Sequence, residues 1–183
     1  MRVIVAITGA SGAIYALRLI EELKKKECEV HVILTDYGKK IMEHETGVRE
    51  EELENMVKRV YHEDDMDSPL ASGSFFHDAM VVVPCSLRTL GGIASGIPSS
   101  LVIRASLCAL KEERKLILVP RETPLDLISL ENMVRVKRAG AIVLPAMPAF
   151  YHKPDDMEGL VNYVVGKILE QLKIPHDLYE RWG

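Results

Sequence analysis

The feature that most constrains this chain is the join Val3-Ile4-Val5-Ala6-Ile7-Thr8-Gly9-Ala10-Ser11-Gly12-Ala13. Here an apolar strand runs into GASGA and straight on into the amphipathic stretch Ile14 to Leu23. Small residues at that junction leave the amides of a helix N-terminus uncovered. The hydroxyls of Thr8 and Ser11 and the helix dipole can then face a single anion. The join reads as a phosphate site, with a purely structural turn of an ordinary βα unit as the competing reading. The dinucleotide fingerprint asks for GxGxxG, whereas this chain offers GxxG with Ser11 inside it. A mononucleotide or isoprenoid phosphate is therefore at least as natural a guest as a pyrophosphate.

The pattern set by this join repeats. Strand-like runs at Val3 to Thr8, Val30 to Thr35, Ala79 to Pro84, Leu116 to Val119 and Ala141 to Leu144 are apolar almost throughout, as strands buried on both faces must be. Between and after them, Ala13, Ala16, Leu17, Ile20 and Leu23 fall at helical spacing. So do Met157, Leu160, Val161, Val164, Val165, Ile168 and Leu172, and both stripes are expected in the core. The reading is an α/β fold, a Rossmann-like doubly wound parallel sheet flanked by helices in three layers. Ligands of such sheets bind beyond the carboxyl ends of the strands. Those ends carry Thr8-Gly9-Ala10-Ser11, Thr35-Asp36, Pro84-Cys85-Ser86, Pro120-Arg121-Glu122 and Pro145-Ala146-Met147-Pro148. The acid-rich segment Glu50 to Ser74 is expected to form a solvated helix and a loop that re-enters the sheet, with no function assigned to Glu50 to Glu54.

Composition narrows the partners. With 183 residues and 48% hydrophobic content, the chain fits one domain, 1–183, without a linker. A net charge of -4 with scattered Lys and Arg offers no basic face for nucleic acid. No apolar run approaches the ~20 residues of a membrane span. Three cysteines without a CxxC pair argue for a reducing compartment, expected to be the cytoplasm. The six histidines show no ligand spacing, so no metal is expected.

Taken in order, the motifs resemble the flavin prenyltransferases, the UbiX family, along nearly the whole chain. They are the GASGA turn, Thr35, Glu45 in HETG, Ala71-Ser72-Gly73-Ser74, and Pro84-Cys85-Ser86 with Thr89. They continue through Arg104-Ala105, Leu110-Lys111-Glu112, Pro120-Arg121-Glu122-Thr123-Pro124-Leu125, Pro145-Ala146, Pro148 to His152 with Pro154, and the terminal Arg181-Trp182-Gly183. The resemblance implies binding of reduced FMN and dimethylallyl phosphate, and metal-independent transfer of the prenyl group to flavin N5 followed by ring closure. The product would be prenylated FMN, the cofactor of a partner UbiD-type decarboxylase. It further implies a large symmetric homo-oligomer, typically a dodecamer. The apolar residues of Gly91 to Ala94 and Ile97-Pro98 suit either subunit contact or core.

Carried over by motif, Gly9, Ala10, Ser11, Thr35, Ser86, Leu87, Arg88, Thr89 and Arg121 would hold FMN. For Thr35 and Ser86 helix capping is the competing role. Arg104, Lys111, Tyr151, Lys167 and Trp182 would meet the prenyl donor, with Arg104 and Lys111 in the same pocket as Tyr151 and Lys167. The tail, about 173–183, would close on the site or on a neighbouring subunit. Ser11, Glu45 and Glu122 are the candidates for proton transfer and for stabilising cationic character. Two departures from the family pattern stand out: Lys167, where arginine is usual, and Leu107, where an aspartate commonly precedes the LKE motif. Lysine keeps the charge but loses the bidentate fork. The competing functions are an FMN-dependent decarboxylase of the same fold and a non-catalytic flavin carrier. A nicotinamide-binding module is disfavoured by the missing GxGxxG.

Overall fold

The computed structural model describes all residues, Met1–Gly183. Six strands form one parallel sheet: β1 (Arg2–Ile7), β2 (Glu29–Leu34), β3 (Arg59–His62), β4 (Ala79–Cys85), β5 (Lys115–Pro120) and β6 (Ile142–Val143). Their spatial order is β3-β2-β1-β4-β5-β6, every neighbouring pair parallel. The expected doubly wound architecture is present. Seven helices connect and flank the strands: α1 (Ala13–Lys25), α2 (Asp36–Thr46), α3 (Glu50–Glu54), α4 (Leu87–Ser95), α5 (Leu101–Lys111), α6 (Leu127–Arg138) and α7 (Met157–Leu172).

Alternation along each strand divides the core in two. Val3, Val5 and Ile7 of β1 point to one face, where they meet α1 and α7 through Ala16, Ile20, Val164 and Ile168. Ile4 and Ala6 point to the other, against α4 and α5 through Leu90, Val102, Ala105 and Ala109. Helices α5 and α7 thus lie on opposite sides of the sheet, which matters for the site below.

Four expectations need correction. The sheet has six strands rather than five, because Arg59–His62 pairs with β2 as an edge strand inside the segment read as helix and loop. Within that segment Glu50 is buried, not solvated, and its carboxylate pairs with Lys39 (2.7 Å) and His62 (3.2 Å). Met157, placed in the core stripe, is 69% exposed as the first residue of α7. The last strand is also shorter than read, two residues instead of four. Of the residues left between contact and core, Ile93 is buried and Ile97 lies on the surface.

Candidate active site

The strand order turns at β1, which sends its next connection to β2 on one side and has β4 on the other. Loops leaving adjacent strands in opposite directions open a crevice at such a switch point. Thr8 fastens its floor. The Thr8 hydroxyl is buried, donates to the Pro84 carbonyl (2.7 Å) and accepts from the Ser86 amide (2.8 Å), joining the carboxyl ends of β1 and β4. The hydroxyl is thus engaged in both directions within the fold, where the sequence reading had it facing an anion.

The helix that follows GASGA departs from the expected phosphate site in the same way. Gly12 stands before α1 with φ 111°, a conformation that suits glycine, and its amide and that of Ala13 both donate to Glu45 Oε2, at 2.9 and 3.1 Å. Glu45 comes from the last turn of α2 and supplies the negative charge that this helix end attracts. Partial burial opposes its ionisation. The Ser11 hydroxyl, the two amides and the Arg121 guanidinium outweigh burial and hold the carboxyl below the ordinary glutamate range. Glu45 is therefore an anion at neutral pH, equipped to steady positive charge rather than to donate a proton.

The free helix N-terminus at the crevice belongs to α4. Ser86 caps it, accepting from the Thr89 amide (3.3 Å) and donating to the Thr89 hydroxyl (3.0 Å). The opening amides at Leu87 and Arg88 have no carbonyl four residues back within the helix. Thr35 caps α2 in the same manner, accepting from the Gly38 amide at 3.0 Å. The capping roles foreseen for Thr35 and Ser86 are thus realised, and both hydroxyls still border a small cavity of about 100 Å³ with Gly9, Arg88 and Thr89. Gly38 allows α2 to sit down on the end of β1, since a Cβ there would collide with the Ile7 carbonyl.

Beside it lies an open cleft of about 440 Å³, bordered by Gly9, Ala10, Ser11, Glu45, Ser86, Leu87, Arg88, Arg121 and Glu122. Residues from four separate stretches of sequence converge there. Arg121 leans over the GASGA turn, donating from Nε to the Ser11 carbonyl (3.1 Å). Glu122 is exposed and accepts from the Thr123 amide (3.0 Å). Cleft and cavity together offer what a flavin mononucleotide requires: amides and hydroxyls for the phosphate, and a slot beside Leu87 and Ala10 for the ring. Sequence reasoning missed Ile41, His44, Tyr37, Glu63 and Ser100, which also border these spaces. Only the position of Tyr37 just past a strand end hinted at this.

The remaining candidates fall into two groups. Tyr151 and Trp182 pack edge to face at 5.5 Å and border a hollow of about 400 Å³ with His152 and Arg181. Lys167 of α7 is close by, paired with Glu170. Arg104 and Lys111 belong instead to α5, where the Arg104 Nε donates to the Ala71 carbonyl (2.8 Å) and Lys111 pairs with Glu112 (3.0 Å). Since α5 and α7 cover opposite faces of the sheet, the single pocket expected for all four is not formed within one chain.

The comparisons with known proteins agree with this geometry. The Flavoprotein family profile matches residues 1–171. The flavin prenyltransferase UbiX of Methanocaldococcus jannaschii is 49% identical over 183 residues, covering 100% of this chain and 99% of the relative. A crystal structure of AnUbiX in complex with FMN and dimethylallyl pyrophosphate superposes with a TM-score of 0.97 at 38% identity, over 100% of this chain and 97% of the other. A dodecameric FMN-dependent UbiX-like decarboxylase from Escherichia coli gives the same TM-score and identity over 100% of both chains. With a fastened switch point, a charged cleft above it and these full-length likenesses, the chain belongs to the flavin prenyltransferase (UbiX) family of flavoproteins.

Proposed function

We propose that this protein joins the dimethylallyl group of dimethylallyl phosphate to reduced FMN, at ring nitrogen N5 and then by ring closure. Prenylated FMN would be released to a UbiD-type decarboxylase. The observation that carries this reading is the cleft at the carboxyl ends of β1, β4 and β5, where amide donors, two guanidinium cations and two carboxylates border one space. The FMN-bound relative supports the choice of guest.

When bound, the reduced flavin supplies a nucleophilic ring nitrogen beside a carbon able to close the new ring. The chain's own residues would do the rest. Thr35, Ser86, Thr89 and the first amides of α4 hold the flavin phosphate. Gly9, Ala10, Leu87 and Arg88 line the ring, with Arg121 above the turn. Ionised Glu45, fixed on the α1 amides, steadies positive charge on the allylic fragment, and Ser11 is placed to relay a proton. Glu122, exposed to solvent at the cleft, accepts the proton released on ring closure. Orientation of two partners in one cleft can contribute ~7 to 11 kcal/mol of the barrier.

Tyr151, Lys167 and Trp182 would receive the prenyl phosphate, and Arg104 and Lys111 of a neighbouring copy would complete the pocket. Their separation onto opposite faces of the sheet supports a site closed between subunits. So do the exposed apolar side chains of Met147, Phe150, Met157 and Trp182, and the dodecameric relative. The residues border no membrane-crossing helix, since none in the chain is long and apolar enough.

The test is to mix the protein anaerobically with reduced FMN and dimethylallyl phosphate and weigh the flavin. A mass increase of one prenyl unit is expected. An unchanged flavin mass would overturn the reading in favour of a flavin carrier.

A further inference from the structure

Lys167 and Glu170 are three residues apart on α7, a spacing that places their side chains side by side. One carboxylate oxygen, Oε2, pairs with the Lys167 ammonium. The other, Oε1, accepts from the Tyr179 hydroxyl (2.7 Å), with Arg181 Nε at 3.7 Å and His176 Nε2 at 3.8 Å. Gly166 lets the tail come this close. A Cβ there would stand 2.5 Å from the Tyr179 ring and 2.7 Å from that of His176. Glu170 is therefore gripped from both sides and largely shielded, its side chain 24% exposed. Burial opposes its ionisation. Lys167 and Tyr179 more than offset that, and the carboxyl ionises more readily than an ordinary glutamate. The same contact raises the Lys167 pKa.

We propose that Glu170 competes with the phosphate of the prenyl donor for Lys167 and so sets the affinity of the site for that phosphate. This rests on the reading above that Lys167 meets the phosphate. A carboxylate and a phosphate against one ammonium repel each other, and the compact head of lysine brings them nearer together than the wider fork of an arginine would. Binding therefore weakens the Lys167–Glu170 pair. When inorganic phosphate departs after transfer, the carboxylate takes its place, which eases release. Glu170 touches neither flavin nor donor. It acts through Lys167 and is a positioning residue.

Glu170→Gln separates charge from packing, since the amide oxygen can still accept from Tyr179. Titrating dimethylallyl phosphate calorimetrically into protein loaded with oxidised FMN should show binding about two- to fivefold tighter in Glu170→Gln than in the native protein. That is the range of a partly exposed ion pair. The KM for the donor should fall in parallel, whereas a residue with a merely structural role would raise it. Glu170→Asp, which keeps the charge, should stay close to native. In a Lys167→Met background the Glu170→Gln gain should vanish. Unchanged or weaker binding in Glu170→Gln, with Lys167→Met still weakening it, refutes the role of Glu170 and leaves the site reading standing. Native-like binding in Lys167→Met refutes the placement of the phosphate and this inference with it.

Discussion

Thr8→Val removes the one side chain that fastens β1 to β4 beneath the cleft. Valine matches threonine in shape and leaves the packing around it intact, so the loss is confined to the hydroxyl. Two hydrogen bonds disappear, to the Pro84 carbonyl at 2.7 Å and from the Ser86 amide at 2.8 Å, both in a site where Thr8 is 1% exposed. Each is worth about 1 kcal/mol net, and the buried carbonyl left without a donor costs about 1–3 kcal/mol more. A total of about 3–5 kcal/mol follows. At this chain length each kcal/mol moves the melting temperature by about 2–4 °C, so a drop of about 6–20 °C is expected. On the proposed placement of the phosphate, flavin affinity should weaken too, because Ser86 begins the helix whose opening amides would hold it. Thr8→Ser, which restores the hydroxyl, should recover most of both. Thermal unfolding and flavin fluorescence titration of the three proteins measure these effects. The reasoning fails if Thr8→Val is as stable as native, or if Thr8→Ser is as damaged as Thr8→Val.

Glu122→Gln should bind FMN as the native protein does while prenyl transfer falls about 100- to 10,000-fold, the usual weight of a lost general base; parallel flavin titration and single-turnover assays check this. Glu45→Gln should be less stable than native at neutral pH. The Glu45 carboxyl ionises below the ordinary value of 4.5, so its contribution is complete above that value and fades as the pH falls through the lower folded-state pKa. Melting temperatures of the two proteins should therefore converge in acid, and a gap that persists there would contradict the capping role. Burial pushes the Cys85 thiol up to about 12, and Cys108 is also buried, so a maleimide at pH 8 should modify Cys28 first, which peptide mass mapping will reveal.

Much of the fold was legible because burial on both faces leaves an unmistakable mark: β1, β2, β4 and β5 read as continuous apolar runs. Strand β3 escaped for the opposite reason. Only Tyr61 of its four residues is buried, the rest being half or fully exposed at the sheet edge, and acids surround it in sequence. The rim residues were legible because the topology gathers strand ends on one side. Which partner each would take was not. Nothing near GASGA indicates that the amides of Gly12 and Ala13 are claimed by Glu45, more than 30 residues away, leaving the α4 end free for an anion. Nor does periodicity reveal which face of a sheet a helix covers, so Arg104 and Lys111 could not be separated from Tyr151 and Lys167 beforehand.

The hydroxyl of Thr8, clamped between two strand ends, makes the floor of the cleft a rigid plinth tied into the most deeply packed part of the molecule. The hollow at Tyr151 and Trp182 is different in kind: a C-terminal extension resting on a single helix, steered by a handful of polar side chains. On the proposed reading, descendants of such a scaffold could reshape that extension to admit longer or bulkier isoprenoids while the plinth stays as it is.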